Sequence, residues 1–321
     1  MPSPSNSLAT LRPDIATSFM EFDLEADRMN FIGPRVMPVI EAAEAAGTFG
    51  KLRIEDLLQA RDTARAPHSG YSRQAYQFTT ASFATVEHGA EEVVDDNESR
   101  RYRQYFDAEL IAANRARDAV LRNAEIRIAN LLFNAATFTP DNVTNEWDDL
   151  VNGTPITDVE TGIQAVYDAT GIWPNALVIN RKVFRNLRNS AQVVERIKYS
   201  GRDGVKADEI TASMLGELFG LDQVIVSGAS KNTANQGQSA ALSPIWSDEY
   251  AMIIRISESQ DLSDPCIGRT VHWAEDGSEV LGTVESYREE DVRGDVIRVR
   301  HQVDELLLYP QMGKLLGNIT T

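Results

Sequence analysis

Residues 98–136 read ESRRYRQYFDAELIAANRARDAVLRNAEIRIANLLFNAA, about 39 positions with neither proline nor glycine. Phe106, Leu110, Ala113, Val120, Ala124, Ile128 and Leu131 recur through this stretch at multiples of three and four, with arginines and glutamates between them. That spacing lays apolar side chains along one stripe of a helix. Asp95, Asp96 and Asn97 stand at its start with capping oxygens and negative charge. A single helix is predicted, ~58 Å long at 1.5 Å per residue, against ~30 Å for the diameter of a small domain. It either crosses a thin, elongated subunit or joins a coiled coil. The stripe contains Arg117 and several alanines and lacks strict leucine heptads, which favours the elongated subunit.

Upstream of the helix the chain changes character. Residues 65–71, RAPHSGY, are polar and turn-like. Tyr76, Phe78 and Thr80 then alternate, followed by Ala81, Phe83 and Thr85 in the opposite phase. Alternation predicts a strand, and the phase slip predicts a bulge or a change in which face is covered. The region from Lys51 to Asp96 has few apolar residues other than aromatics, so it cannot build its own core and must lie against something else. Before it, Pro2, Pro4, Pro13 and Pro34 break up an extended arm. A short helix is predicted from Val39 to Ala46, opened by Pro38 and closed by Gly47 and Gly50.

Downstream, residues 150–257 read as an α/β unit. Thr157 and Glu160 are spaced as a capping box, and Gly171 sits where a helix should stop. A buried strand is expected at 175–179, followed by short helices around Val183–Leu187 and Val193–Ile197. A further helix carries Ile210, Met214 and Leu218, strands are expected at 224–226 and 251–254, and residues 231–239 read as an exposed loop. Near the end, Ile297, Val299 and Val303 share one strand face and Arg298, Arg300 and Gln302 the other. Residues 280–287 can pair with them as an antiparallel hairpin turning near 291–295.

The 321 residues carry a formal charge of −17, with 42% hydrophobic and 25% charged side chains, values that suit a folded, soluble chain. So acidic a protein is a poor general binder of nucleic acid, which requires clustered positive charge. Six of its 31 cationic side chains are lysines and the rest are arginines, which make bidentate contacts suited to interfaces. Cys266 is the single cysteine, excluding an intrachain disulfide and fitting a reducing cytoplasm. The opening residues lack a basic start and apolar core, so no secretory signal is expected, and no apolar run approaches membrane-spanning length.

No phosphate-binding loop, HExxH, nucleophile elbow or dinucleotide fingerprint is present. His68, His88, His272 and His301 have no i, i+4 partners, and Cys266 follows a proline with no evident base. Arg293-Gly294-Asp295 reads as hairpin-tip chemistry rather than an adhesion motif. No catalytic residue, cofactor or metal is expected, and the weight moves from enzyme to architecture.

Several segments together resemble the Hong Kong 97-type major capsid proteins of tailed bacteriophages, and within them the family of the lambda major head protein. These are RAPHSGY (65–71), FATVEHGAEEVVDD (83–96), EWDDLVNGTPITDVE (146–160), ATGIWPNALVINRKVFRNLRN (169–189), VVERIKYSG (193–201) and MLGELFGLDQVIVSGA (214–229). The resemblance runs from about residue 30 to the end, and its order and spacing are more specific than any one segment.

The resemblance implies an α+β fold in five parts. They are an N-terminal arm and short helix (1–50), an extended β-hairpin loop (51–95), a peripheral domain with a spine helix (96–145), an axial α/β domain (146–257) and a return to the peripheral domain (258–321). It implies hexamers and pentamers tiling an icosahedral shell around double-stranded DNA that is enclosed without specific binding, in a virion assembled in a bacterial cytoplasm. Arg65, Tyr71, Arg73, Phe78, Phe83, Glu87, Glu91 and Glu92 are then expected to contact neighbouring subunits, with Phe78 and Phe83 anchoring the loop. Phe106, Leu110, Val120, Ile128 and Leu131 are expected to pack the spine helix.

Two departures matter. Residues 52–95 hold no lysine, which puts the loop-lysine cross-link of the fold's namesake out of reach. The short arm leaves no room for a built-in scaffolding segment, so a separate scaffolding protein is expected, and the resemblance implies a portal and a decoration protein as further partners. An encapsulin-type compartment and a soluble acidic enzyme built on residues 150–257 are the competing readings.

Overall fold

Two sheets and one long helix organise the chain. The computed structural model describes residues 10–11, 31–60, 63–65, 67–73, 78–102, 107–199, 207–235, 237–259, 264–275 and 277–320. In chain order the elements begin with β1 (Thr10–Leu11), α1 (Gly33–Val36), β2 (Val39–Ala42), β3 (Ala46–Leu52), α2 (Ile54–Leu58), β4 (Phe78–Ala84) and β5 (Val86–Asp95). The helices α3 (Asp96–Tyr102) and α4 (Ala108–Leu132) follow, then β6 (Asp141–Asn142), α5 (Pro155–Thr170), β7 (Ala176–Asn180), α6 (Arg181–Asn189), α7 (Ala191–Tyr199) and α8 (Ala212–Phe219). The chain closes with β8 (Gln223–Ser227), β9 (Ser230–Asn232), β10 (Leu242–Pro244), β11 (Ala251–Ile254), β12 (Gly268–Trp273), β13 (Thr283–Glu289), β14 (Gly294–Leu307) and β15 (Gly313–Gly317).

The first sheet runs β6-β15-β11-β7-β8, with β7 parallel to β8 and antiparallel to β11. Both faces are covered, which is why β7 is apolar at successive positions rather than alternating. Leu177 and Ile179 join Ile253 and Leu316 on the face covered by Val159, Ile163, Val183, Leu187 and Leu215 from α5 to α8. Ala176 and Val178 join Met252, Ile254 and Leu315 on the opposite face, against Ile128, Ala129 and Leu132 of α4 and Val36 of α1. Each such side chain, fully buried, contributes roughly 1.5–3 kcal/mol.

The second sheet runs β1-β13-β14-β12-β2, with β5 along the other side of β14. The predicted hairpin is present, with Thr283↔Arg300 through Glu289↔Gly294 in register. Its turn holds Arg293 at φ 50°, and a side chain at Gly294 would meet the Val94 carbonyl oxygen at 2.5 Å, so only glycine fits there. Ala112, Ala113, Ala116 and Val120 of α4 lie on Val284, Ile297 and Val299 of this sheet. The alanines in the helical stripe thus have a purpose, bringing the helix close to the strands. Arg117 is buried there and donates from Nε to the Leu281 carbonyl at 3.1 Å. One end of α4 packs on one sheet and the other end beneath the second, so it is a strut inside the subunit and not a strand of a coiled coil.

Several expectations are revised. Residues 39–42 form a strand pairing in parallel with β12, Val39 opposite Thr270, and Gly47 and Gly50 lie within β3 instead of ending a helix. Hydrogen bonds to β12 outweigh the alanine-rich helix propensity. The long helix is not continuous from 98: α3 ends at Tyr102, and α4 starts afresh at Asp107, whose carboxylate accepts from the N–H groups of Glu109 (3.1 Å) and Leu110 (3.5 Å). That leaves α4 ~37 Å long at 1.5 Å per residue. The earlier cap survives for α3, where Asp95 accepts the Asn97 N–H at 2.7 Å.

Of the two outcomes expected for the phase slip at Ala81, the bulge is absent, since β4 pairs one-to-one with β3 from Leu52↔Phe78 to Ala46↔Ala84, while Thr80 is exposed and Ala81 and Phe83 are half-buried. Thr157 and Glu160 do not form a capping box, because α5 starts earlier, at Pro155, and Gln192 of α7 accepts the Ile156 N–H at 2.9 Å. Finally, residues 86–95 do not extend the loop: β5 pairs along β14 from Val86↔Val303 to Asp95↔Gly294. The predicted stop at Gly171 is present, at φ 68°. Of the loop expected at 231–239, Lys231 and Asn232 instead belong to β9, opposite Ser243 and Leu242 of β10, and the described residues from Thr233 onward form the tip.

Candidate subunit-contact surface

Among the described residues, the stretch joining β3 to β4 is largely exposed. At its root it is fastened. Lys51 donates to the Leu308 carbonyl and sits 4.2 Å from the centre of the Tyr309 ring. The Ala84 N–H reaches Asp304 Oδ2 at 3.0 Å, and Thr85 bonds Ala45 through both its N–H and its hydroxyl. A cleft of about 820 Å³ lies between this root and the second sheet, lined by Ile40, Phe49, Phe83, Val271 and Leu306.

Beyond the root, the described residues from Gln59 to Arg73 are exposed, Tyr71 at 73%. Arg65 holds this tip together locally: Nε donates to the Ser69 carbonyl at 2.7 Å and the guanidinium lies 4.7 Å from the centre of the Tyr71 ring. His68, at φ 65°, makes the turn between them.

The predicted contact residues are therefore separated. Arg65, Tyr71 and Arg73 lie on the exposed tip. Phe83 is half-buried, its ring 6.5 Å from Phe49 and beside Gly47 of the paired strand, so it anchors the hairpin to itself. Phe78 stands opposite Leu52 in register, and its side chain lies outside the described residues. Glu87 is exposed on β5, Glu92 is half-buried, and Glu91 accepts from Arg298 Nε at 2.6 Å within its own subunit. Of the helix residues, Val120 and Ile128 are buried, Leu110 and Leu131 are partly buried against separate clusters, and Phe106 lies outside the described residues.

Two polar clusters escaped the sequence reading. Glu125, mid-way along α4 and 2% exposed, accepts the Ile32 N–H at 2.9 Å, the Gly33 N–H at 2.7 Å and the Trp246 indole N–H at 2.6 Å. It clasps the start of α1 and the β10–β11 connection to the strut. Burial pushes its carboxyl above the usual range, and the three donors work against that rise. In the second cluster, His88 and His301 face each other across β5 and β14, their rings 5.9 Å apart. His301 Nδ1 lies 3.0 Å from the Val280 carbonyl, an acceptor, so Nδ1 carries the proton and Nε2 accepts from Arg127. Arg127 is itself paired with Glu305 at 2.7 Å. Burial first, then the charge of Arg127, lowers the proton affinity of His88; burial also lowers that of His301. A glutamate on a polar helix position and a histidine in a strand give no signal of burial until the third dimension is known.

Among the described residues no group of three or more acidic, histidine or cysteine side chains is placed to hold a metal, and no helix is long and apolar enough to cross a membrane. Cys266 is buried, which pushes its thiol up and away from nucleophilic use.

No family model matches the chain. It is 24% identical over 305 residues to the major capsid protein of Burkholderia phage BcepMu, covering 90% of this chain and 91% of that one. Among solved structures, a phage-related protein from Bordetella bronchiseptica RB50 matches with a TM-score of 0.68 at 20% identity, over 97% of this chain and 98% of the other. The capsid of cyanophage P-SCSP1u matches with a TM-score of 0.58 at 10% identity, over 88% and 86%. An encapsulin complex from Synechococcus elongatus PCC 7942 gives 0.53 at 9% identity, over 89% and 86%. The fold is the Hong Kong 97-like α+β fold of phage capsid proteins.

Proposed function

We propose that this chain, having the Hong Kong 97-like fold, is the major capsid protein of a tailed phage, assembling as hexamers and pentamers into an icosahedral shell around double-stranded DNA. The observation that carries the reading is the end-to-end likeness to a curated phage major capsid protein, about nine-tenths of both chains. A hairpin whose described residues from Gln59 to Arg73 are exposed fits that role, since another copy can cover them.

In this reading, Arg65, Tyr71 and Arg73 at the hairpin tip and Glu87 on the outer strand meet neighbouring subunits. Residues 146–257 form the axial domain and the second sheet with α4 the peripheral domain, while 86–95 belong to the peripheral sheet rather than to the loop. A net charge of −17 per subunit keeps packaged phosphate from adhering to the wall. Exposed ion pairs contribute only ~0–1 kcal/mol each, so cohesion rests on buried apolar area across many interfaces. A separate scaffolding protein, a portal and a decoration protein complete the assembly, and the chain has no catalytic role.

The encapsulin likeness supports a second reading, a compartment for protein cargo. The curated match favours the phage. Negative-stain electron microscopy of the expressed chain, alone and with its neighbouring genes, should give closed shells. A compact monomer at every concentration would overturn the proposal, and shells filled with a protein cargo would favour the compartment.

A further inference from the structure

A cavity of about 300 Å³ lies where the arm, the strut and the second sheet meet. Phe31 walls it beside α1, Leu121, Ala124 and Ile128 line it along α4, and Leu281 and Val303 close it from the sheet side. Among the described residues five polar side chains also reach it, and each is already engaged inside the protein. Glu125 takes the N–H groups of Ile32, Gly33 and the Trp246 indole, and His301 turns its ring nitrogens to the Val280 carbonyl and Arg127. Glu305 pairs with Arg127 at 2.7 Å, the Thr270 hydroxyl donates to the Met37 carbonyl at 3.2 Å, and Arg35 reaches Gln223 Oε1 at 3.3 Å. What faces the space is mainly hydrocarbon.

We infer that this cavity is a binding site for a small, uncharged, apolar molecule of one or two rings, and that such a guest ties α1, α4 and the second sheet together. Size sets the bound. A dry cavity of roughly 150 Å³ lined by aliphatic and aromatic side chains already takes up benzene. The space here is about twice that, at the lower end of the ~300–1,000 Å³ of ligand pockets. Chemistry sets the class. A water molecule needs about two to four polar partners, and a charged guest would shed its hydration for groups that are already paired. A neutral ring gives up no polar contact and covers the half-buried Phe31, Leu121 and Ala124. The way in lies at the rim, where Pro34 and Arg35 are exposed and Leu281 is 38% exposed.

Indene, a neutral two-ring hydrocarbon, is the probe, added to the full-length chain, with benzoate and benzylammonium as charged controls of similar size. At about ten times its dissociation constant, indene should raise the melting temperature by about 2 °C. It should also shift the methyl NMR signals of Leu121, Ile128 and Val303 until they saturate. Neither control should do either. Ala124→Phe fills the space from the strut and should abolish both responses. Leu281→Trp plugs the rim from a partly exposed position, should abolish them too, and serves where the strut variant does not fold. A parent chain whose melting and methyl signals ignore indene would overturn the inference. So would a response kept by a folded, plugged variant, which places the probe elsewhere, or an equal response to either control, which removes the uncharged class.

Discussion

A single carboxylate decides how the arm, the strut and the first sheet meet. Glu125 takes two donors on Oε1, from Ile32 and Trp246, and one on Oε2, from Gly33. Gln in its place would keep the two-donor oxygen and turn an amide N–H against the Gly33 N–H. A buried donor left facing a donor costs about 1–3 kcal/mol. Glu125→Gln should therefore lower the melting temperature by several degrees, measured by calorimetry on the unassembled subunit, and an unchanged Tm would show the clasp to be dispensable. Nothing in the run RNAEIRIAN marks Glu125 as different from Glu109. Its neighbours in space lie some 90 positions away in sequence toward the start and 121 toward the end, so no local pattern carries the information. Arg117 is a similar case, a charged residue whose burial depends on a carbonyl 164 positions away.

Among the elements, the β3–β4 hairpin and the α4 strut stand at opposite extremes of support. The strut is held between two cores, whereas the described residues from Gln59 to Arg73 are exposed. Replacing residues 53–77 with a short turn should leave a folded subunit whose melting temperature moves by less than about 3 °C, because little core area is removed, and should abolish shells in electron micrographs. A large fall in Tm would place the loop in the subunit's own core. The alternation of Phe83 with Thr85 reported the half-buried face of this hairpin correctly. The break at Asp107 went unseen because an aspartate inside an arginine- and glutamate-rich run resembles a solvated position as much as a cap. The strand at Val39–Ala42 went unseen for a related reason: its hydrogen bonds come from β12, over two hundred residues later.

For the whole molecule, the charge and the lysine distribution set what holds copies together. With no lysine between residues 52 and 95, loop-lysine amide links between subunits have no nucleophile. Mature particles boiled in denaturant should therefore run as one band at the 35.5 kDa subunit mass, and a ladder of linked subunits on that gel would refute non-covalent cohesion. The acidic surface leads to the same expectation from another side, since repulsion between subunits must be overcome by apolar contact and arginine–carboxylate pairing at their borders.

Local pattern alone specified the closing hairpin and its faces, the strands and helices of residues 150–257 and the helix stop at Gly171. All of these are local: periodicity, turn residues and composition act over a few positions. Packing between distant segments sets that β5 belongs to the body sheet, that α4 is capped at Asp107, and that Glu125 and His301 are buried polar hubs. Those outcomes depend on which distant strand supplies a hydrogen bond or covers a face, and that is settled by the packing of the whole chain.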